Sequence, residues 1–204
     1  MIAVRHWQHL VLAINLALCV SSSAAQVNPS PARPGEVIEM STYVVTAPAG
    51  NGWNIQKDQV KGLVLFQRDN PLTVISVVPY PMPELNGIID EDKVAAMIFD
   101  FEEKNMRDRG ISRSYTPSGF TRGLLVVSGK TVHVMRYSVT QLGLQPRLNP
   151  LVMKYVMYLY LPENWKESKR AYAFIIGAPQ MVGSTSSASN LEEIDSLVRT
   201  FKAR

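Results

Sequence analysis

The side chains able to carry acid–base, nucleophilic or metal chemistry are few. The sequence holds one cysteine, Cys19, and three histidines, His6, His9 and His133. Cys19, His6 and His9 all sit in a leader-like N-terminal stretch, so a chain processed behind it keeps no thiol and His133 as its one imidazole. Nucleophilic catalysis of the Ser-His-Asp or Cys-His kind needs a nucleophile beside a base that titrates near neutrality. No serine stands in a Gly-x-Ser-x-Gly elbow. His133 alternates with Met135, Tyr137 and Val139, a half-apolar strand face that suits a structural, hydrogen-bonded histidine. A zinc or copper site built from imidazole or thiolate needs more such ligands than one histidine provides. The dense carboxylates are Asp90-Glu91-Asp92 and Glu102-Glu103. The first group suits a helix start, where the macrodipole favours negative charge, and the second a solvated helix face, so neither is assigned a calcium or magnesium role. Phosphate-cradling glycine loops are missing. The expectation is a non-enzyme with no catalytic residue, cofactor or metal.

Binding chemistry is better represented. The basic residues are scattered; with Arg5 set aside, 20 basic face 17 acidic side chains, a balance that does not concentrate the phosphate contacts a nucleic acid needs. Aromatic side chains are more concentrated. Tyr155, Tyr158, Tyr160 and Tyr172 crowd one strand pair, with Trp165 on its loop and Trp53 alone after a Gly/Asn-rich approach. Period two puts Tyr155 with Met153, Met157, Leu159 and Leu161 on one face, and Tyr158 and Tyr160 with Lys154 and Val156 on the other. The first face suits a core. The second suits packing, or a half-exposed aromatic patch of the composition found at interfaces. Trp53, Tyr158, Tyr160 and Trp165 are therefore the candidate binding residues, with Trp53 weighed as a packing plug against a ligand lip.

The elements that must position these residues follow from the hydropathy pattern. Arg5, the apolar run Leu10 to Val20 and the small residues Ser21 to Ala25 have the three-part layout of a secretory signal. The run is eleven residues, short of the ~20 that span a bilayer. Residues 1–25 are thus expected to be a signal peptide cleaved before Gln26, with lipidation at Cys19 opposed by the bulky Leu18 before it. Residues 26–35 form a proline-rich tether, and 36–204 a single domain placed in the periplasm or secreted, with no transmembrane segment in the mature chain. Within it, Glu36 to Ala47 is strand-like. Val60 to Gln67 and Leu72 to Val78 flank the turn residues Arg68 to Pro71 as a hairpin. A helix opens at Asp90, buries Val94, Ile98 and Phe101, and stops at a left-handed Gly110. Gly123 to Ser128 and Thr131 to Thr140 form a second hairpin, and Val152 to Leu161 with Tyr172 to Ala178 a third strand pair. Leu142 to Pro150 and Ser184 to Ser189 are connections. Asn190 caps a last helix whose face is Leu191, Ile194, Leu197, Val198 and Phe201. Strands in adjacent pairs with one helix between and one at the end make an α+β fold with antiparallel pairing.

This order, with Pro48, Gly52 and Trp53 leading into the first hairpin, a helix ending near Gly110, Gly129-Lys130 ahead of VHVMRYSV, and a closing LEEIDSLVRTFKAR, resembles the PsbP-like superfamily, which includes the Ran-binding import factor Mog, PsbP and bacterial DcrB-type proteins. The resemblance implies a central antiparallel sheet of six to seven strands with helices packed on it, an αβα sandwich. It also implies non-enzymatic work: binding proteins, stabilising assemblies or chaperoning apolar segments. The functional expectation is an exported binding module for another envelope or secreted protein. The alternative is a carrier for a lipid or apolar small molecule held between sheet and helices.

Overall fold

The computed structural model describes residues 29–69, 72–82, 90–113, 115–141, 151–179 and 191–204. The expected leader, the connections Leu142 to Pro150 and Ser184 to Ser189, the Asn70-Pro71 turn and the Asn190 cap lie outside the described residues.

Eight strands form one antiparallel sheet. They are β1 (Ser30–Pro31), β4 (Trp53–Asp58), β5 (Leu63–Asp69), β6 (Leu72–Pro81), β7 (Tyr115–Val127), β8 (Lys130–Gln141), β9 (Leu151–Tyr160) and β10 (Arg170–Pro179), in the spatial order β1-β4-β5-β6-β10-β9-β8-β7. The three expected hairpin pairings are present as β5·β6, β7·β8 and β9·β10. The sheet is nonetheless wider than expected. β1 lies in the segment expected to be a free tether, and pairs Ser30 with Ile55. β4 begins at Trp53 itself, and Trp53 and Ile55 point into the core while Asn54 and Gln56 are only half-buried. β7 starts eight residues before Gly123, through a Thr-Pro-Ser-Gly stretch that carries a register shift between Ser118 and Thr121. Such a shift accommodates extra residues on one strand without ending the ladder.

One face of the sheet carries α1 (Glu91–Arg113). Asp90 caps it, its Oδ1 accepting from the Asp92 amide at 2.9 Å, and Glu91 and Asp92 fill its first turn as the dipole favours. The helix does not stop at Gly110. That residue is helical and buried, and a Cβ there would lie 2.6 Å from the carbonyl oxygen of Tyr115, so glycine serves a close approach of the chain entering β7. Val94, Ala95, Ile98, Phe99 and Met106 pack on Met135, Tyr137, Tyr155, Met157 and Ile175 from the sheet. A short helix, α2 (Trp165–Ser168), closes the β9–β10 connection.

The other face is covered by something the sequence pattern did not show. The run from Glu36 to Ala47 is two strands, β2 (Val37–Glu39) and β3 (Tyr43–Thr46), joined by a tight turn in which the Met40 amide donates to the Tyr43 carbonyl at 2.9 Å. After α3 (Leu191–Thr200), the chain adds β11 (Lys202–Ala203) to the free side of β3, giving a three-stranded sheet β11-β3-β2. This small sheet and α3 bury Ile38, Tyr43, Val45, Leu197, Val198 and Phe201 against Phe66, Ile75, Tyr172 and Phe174. The architecture is therefore sheet-dominated α+β, with one long helix on one face and a mixed β/α layer on the other. It holds more strand and less helix than the αβα sandwich expected.

Candidate functional site

The four candidate aromatic residues do not form one surface. Trp53 is 2% exposed; its Nε1 donates to the Ala49 carbonyl at 3.4 Å, and the guanidinium of its cross-strand partner Arg68 lies 4.6 Å from the ring centre. Trp165 is equally buried, but on the opposite face, under α1, where its Nε1 donates to Glu91 Oε1 at 3.2 Å. Tyr158 is buried beneath the small sheet and α3. Only Tyr160 keeps a partly exposed ring, and Lys130 Nζ sits 5.1 Å from its centre. The face alternation along β9 is as expected. What the sequence could not show is that a second layer covers the Tyr158 face, which removes the half-exposed aromatic patch.

The exposed apolar groups lie elsewhere. β7 is the last strand of the large sheet, and among the described residues no strand pairs with its outer edge. On one side Leu125 and Val127 turn into the core beneath α3. On the α1 side Arg122 forms ion pairs with Asp100 at 2.7 Å and Glu103 at 3.3 Å. The next residues on that side are Leu124, partner of His133, and Val126, partner of Thr131. His133 Nδ1 faces Asp92 Oδ1 in the first turn of α1, 3.8 Å away, so Leu124 is level with the helix start and Val126 lies beyond it. The helix leaves them uncovered, at 62% and 68% exposure. The sequence places GLLVV in a strand; it carries no signal that this strand would be the edge.

A second feature lies inside, between α1 and the sheet. Glu102 was expected on a solvated helix face and is instead completely buried. Its spacing of four from Ile98 and Met106 puts it in line with the helix's buried stripe. Neither of its carboxylate oxygens has a hydrogen-bond partner, and Tyr137 Oη and Tyr155 Oη of the facing sheet, with Asn105 Nδ2 further along the helix, are buried and equally unpartnered. Burial pushes the Glu102 carboxyl up to about 7; the Tyr80 hydroxyl and the Arg109 guanidinium lower it again without cancelling the desolvation, and the Tyr80 hydroxyl does not reach hydrogen-bond geometry. Burial likewise raises the phenols of Tyr80 and Tyr137, and that of Tyr155 to about 12.

The floor of this cluster is a row of rings running across the sheet. Phe120 stacks on Tyr137 at 5.6 Å and Tyr137 on its cross-strand partner Tyr155 at 5.2 Å. The row ends at Gly177, the partner of Tyr155 on β10, where a Cβ would collide with the Tyr155 ring. Gly177→Ala should therefore cost about 1–3 kcal/mol, the usual penalty for overpacking. In a Tyr155→Ala background the same substitution should cost close to nothing. A thermal or urea double-mutant cycle with no coupling would contradict this packing.

In sum of geometry the molecule is a two-core α+β protein with an open apolar edge strand and an unpaired carboxyl under its long helix. Among the described residues no three metal-ligating side chains converge, and no helix is long and apolar enough to cross a membrane. Among solved structures the chain is similar to the solution structure of cyanobacterial PsbP (CyanoP) from Synechocystis sp. PCC 6803, with a TM-score of 0.51 at 12% sequence identity, over 91% of this chain and 99% of that one. The fold is PsbP-like. No protein-family model matches the sequence, and no curated protein matches it.

Proposed function

We propose that the chain is an exported, non-catalytic binding module for another protein of the cell envelope, and that it takes an extended segment of that partner along the outer edge of β7. The observation that carries this reading is the uncovered stretch of β7 past its register shift, where Thr121 to Leu124 and Val126 are exposed. An open strand edge offers main-chain donors and acceptors to an added strand, and the exposed side chains on its face set which segment fits. Long, flat, apolar edges are normally blunted by charge or by covering elements, because they invite pairing. Here Leu124 and Val126 are left bare instead. The carrier alternative draws no comparable support, since Met135, Tyr137, Tyr155 and Met157 fill the layer where an apolar ligand would sit.

A photo-crosslinking residue placed at position 124 or 126 should give a discrete adduct with another protein in envelope preparations. The same residue at Val60, which is 98% exposed but away from this edge, should not. The pair Leu124→Lys and Val126→Lys should abolish binding of the protein so identified while changing stability by no more than about 0.5 kcal/mol. Equal adducts at all three positions, none at any, or an adduct only with a second copy of the chain would each overturn the reading.

A further inference from the structure

We propose that Glu102 and the phenols around it form a proton-operated latch that holds α1 on the sheet when the carboxyl is neutral and releases it when the carboxyl ionises. This inference does not depend on the binding role of β7. It rests on four buried polar atoms without partners in the layer between α1 and the sheet: both Glu102 oxygens, Tyr137 Oη and Tyr155 Oη. A neutral carboxyl is both donor and acceptor, and it carries no charge for the layer to solvate. An ionised carboxylate in the same place is acceptor only and carries a charge that the apolar layer must solvate.

The groups that face this carboxyl are uneven in sign. From β6 comes Tyr80, from β8 Tyr137 and from α1 itself Arg109, while Tyr155 of β9 and Tyr115 at the start of β7 belong to the same phenol cluster. All four strands bring a phenol to the cluster, a group whose ordinary ionisation lies well above the range in question. Among the described residues Arg109 brings the cation that acts on Glu102, and its attraction is outweighed by desolvation. Ionisation therefore finds no sufficient partner within the docked arrangement, and the available relief is for α1 to move off the sheet and admit water. The helix is suited to this. Its contacts to the sheet are chiefly to β7 and β8, and the ion pairs that tie it to β7, Arg122–Asp100 at 2.7 Å and Arg122–Glu103 at 3.3 Å, lie near the surface and resist opening little.

Hydrogen exchange on the whole purified protein tests the latch. Opening constants for α1 amides from Val94 to Met106, corrected for the intrinsic pH dependence of exchange, should rise about tenfold per pH unit between about pH 5 and 7 and then level off. In Glu102→Gln they should be independent of pH. The α1 amides should also open more readily than those of β9 and β10 at every pH, since α1 moves while the sheet stays formed. A flat wild-type profile, the same rise in Glu102→Gln, or identical opening constants for α1 and β10 would each overturn the proposal. Should the variant not fold, carbon-detected NMR of the Glu102 carboxyl in the wild type decides instead: a midpoint near 7 supports the latch, and one below about 5 removes it.

Discussion

Phe201→Ala should lower stability by about 3–5 kcal/mol, the cost of truncating a fully packed phenylalanine. The residue sits one position past α3 and is 3% exposed. Its ring meets Tyr172 at 4.8 Å, Phe174 at 5.2 Å, Tyr43 at 5.4 Å and Tyr160 at 6.0 Å. Those partners belong to three different pieces of the fold: β3 of the small sheet, β9 and β10 of the large one, and α3 through Phe201's own amide, which donates to the Leu197 carbonyl at 3.0 Å. Removing one ring thus opens a cavity where three surfaces meet, and none of them can collapse without moving the others. A domain of this size has a total stability of roughly 5–15 kcal/mol, so the variant should be largely unfolded in mild urea. Chemical denaturation followed by far-UV circular dichroism checks the size of the loss. A loss below about 1 kcal/mol would mean that the mixed layer contributes little to this core. Phe201→Leu, which refills most of the volume, should recover more than half of the loss.

How much of this was legible beforehand depended on whether the signal was local. The β5·β6 and β7·β8 pairings could be read because turn residues stand between two apolar runs, and a short turn forces antiparallel neighbours; β9·β10 could be read from two apolar runs flanking one charged loop. The face alternation of β9 could be read because period two is a property of one strand. The layer over Tyr158 could not. It is assembled from Val37–Thr46 near one end and Leu191–Ala203 at the other, and β11 is two residues that count as a strand only because β3 lies beside them. The edge position of β7 is equally non-local: it follows from β6 pairing with β10 across the intervening helix and hairpin, which no spacing in the sequence encodes. Trp53 was legible as a packing plug, but β4 was not: its six residues from Trp53 to Asp58 carry polar Asn54, Gln56 and Lys57 between the buried positions, and the expected first hairpin begins only at Val60. Glu102 is the instructive miss. It stands four residues from Ile98 and Met106 and so lies in their buried stripe, yet carboxylates are so seldom fully buried that Glu102-Glu103 reads as a solvated face. Gly110 differs from expectation for a similar reason: glycine near a helix end usually marks a left-handed stop, but here it marks a close crossing of two segments.

Glu102→Gln should stabilise the protein at pH 8 by roughly 3 kcal/mol and leave it within about 1 kcal/mol of the wild type at pH 4.5. The sign follows from the folded carboxyl lying above its unfolded value. Between 4.5 and about 7 the folded protein holds a proton that the unfolded chain has released, so stability falls as pH rises through that window and is flat above it. The rise from 4.5 to about 7 corresponds to roughly 3 kcal/mol of preference for the neutral form. The amide of glutamine cannot ionise, so it escapes this loss while keeping the same length and nearly the same shape. Its own burial without partners costs about as much as that of the neutral acid, which is why the two proteins should agree at low pH. Other groups also titrate between pH 5 and 8, and subtracting the variant's urea-unfolding free energies from those of the wild type removes them, leaving the Glu102 contribution alone. Glu103, one residue away and paired with Arg107 and Arg122 near the surface, supplies the internal comparison. Glu103→Gln should change stability by no more than about 1 kcal/mol at pH 8, and in the opposite sense, because it loses attraction instead of relieving a buried charge. If the wild type and Glu102→Gln keep parallel stability profiles from pH 4.5 to 8, then Glu102 is solvated or partnered in solution, and the unpaired carboxyl under α1 is not a feature of the folded protein.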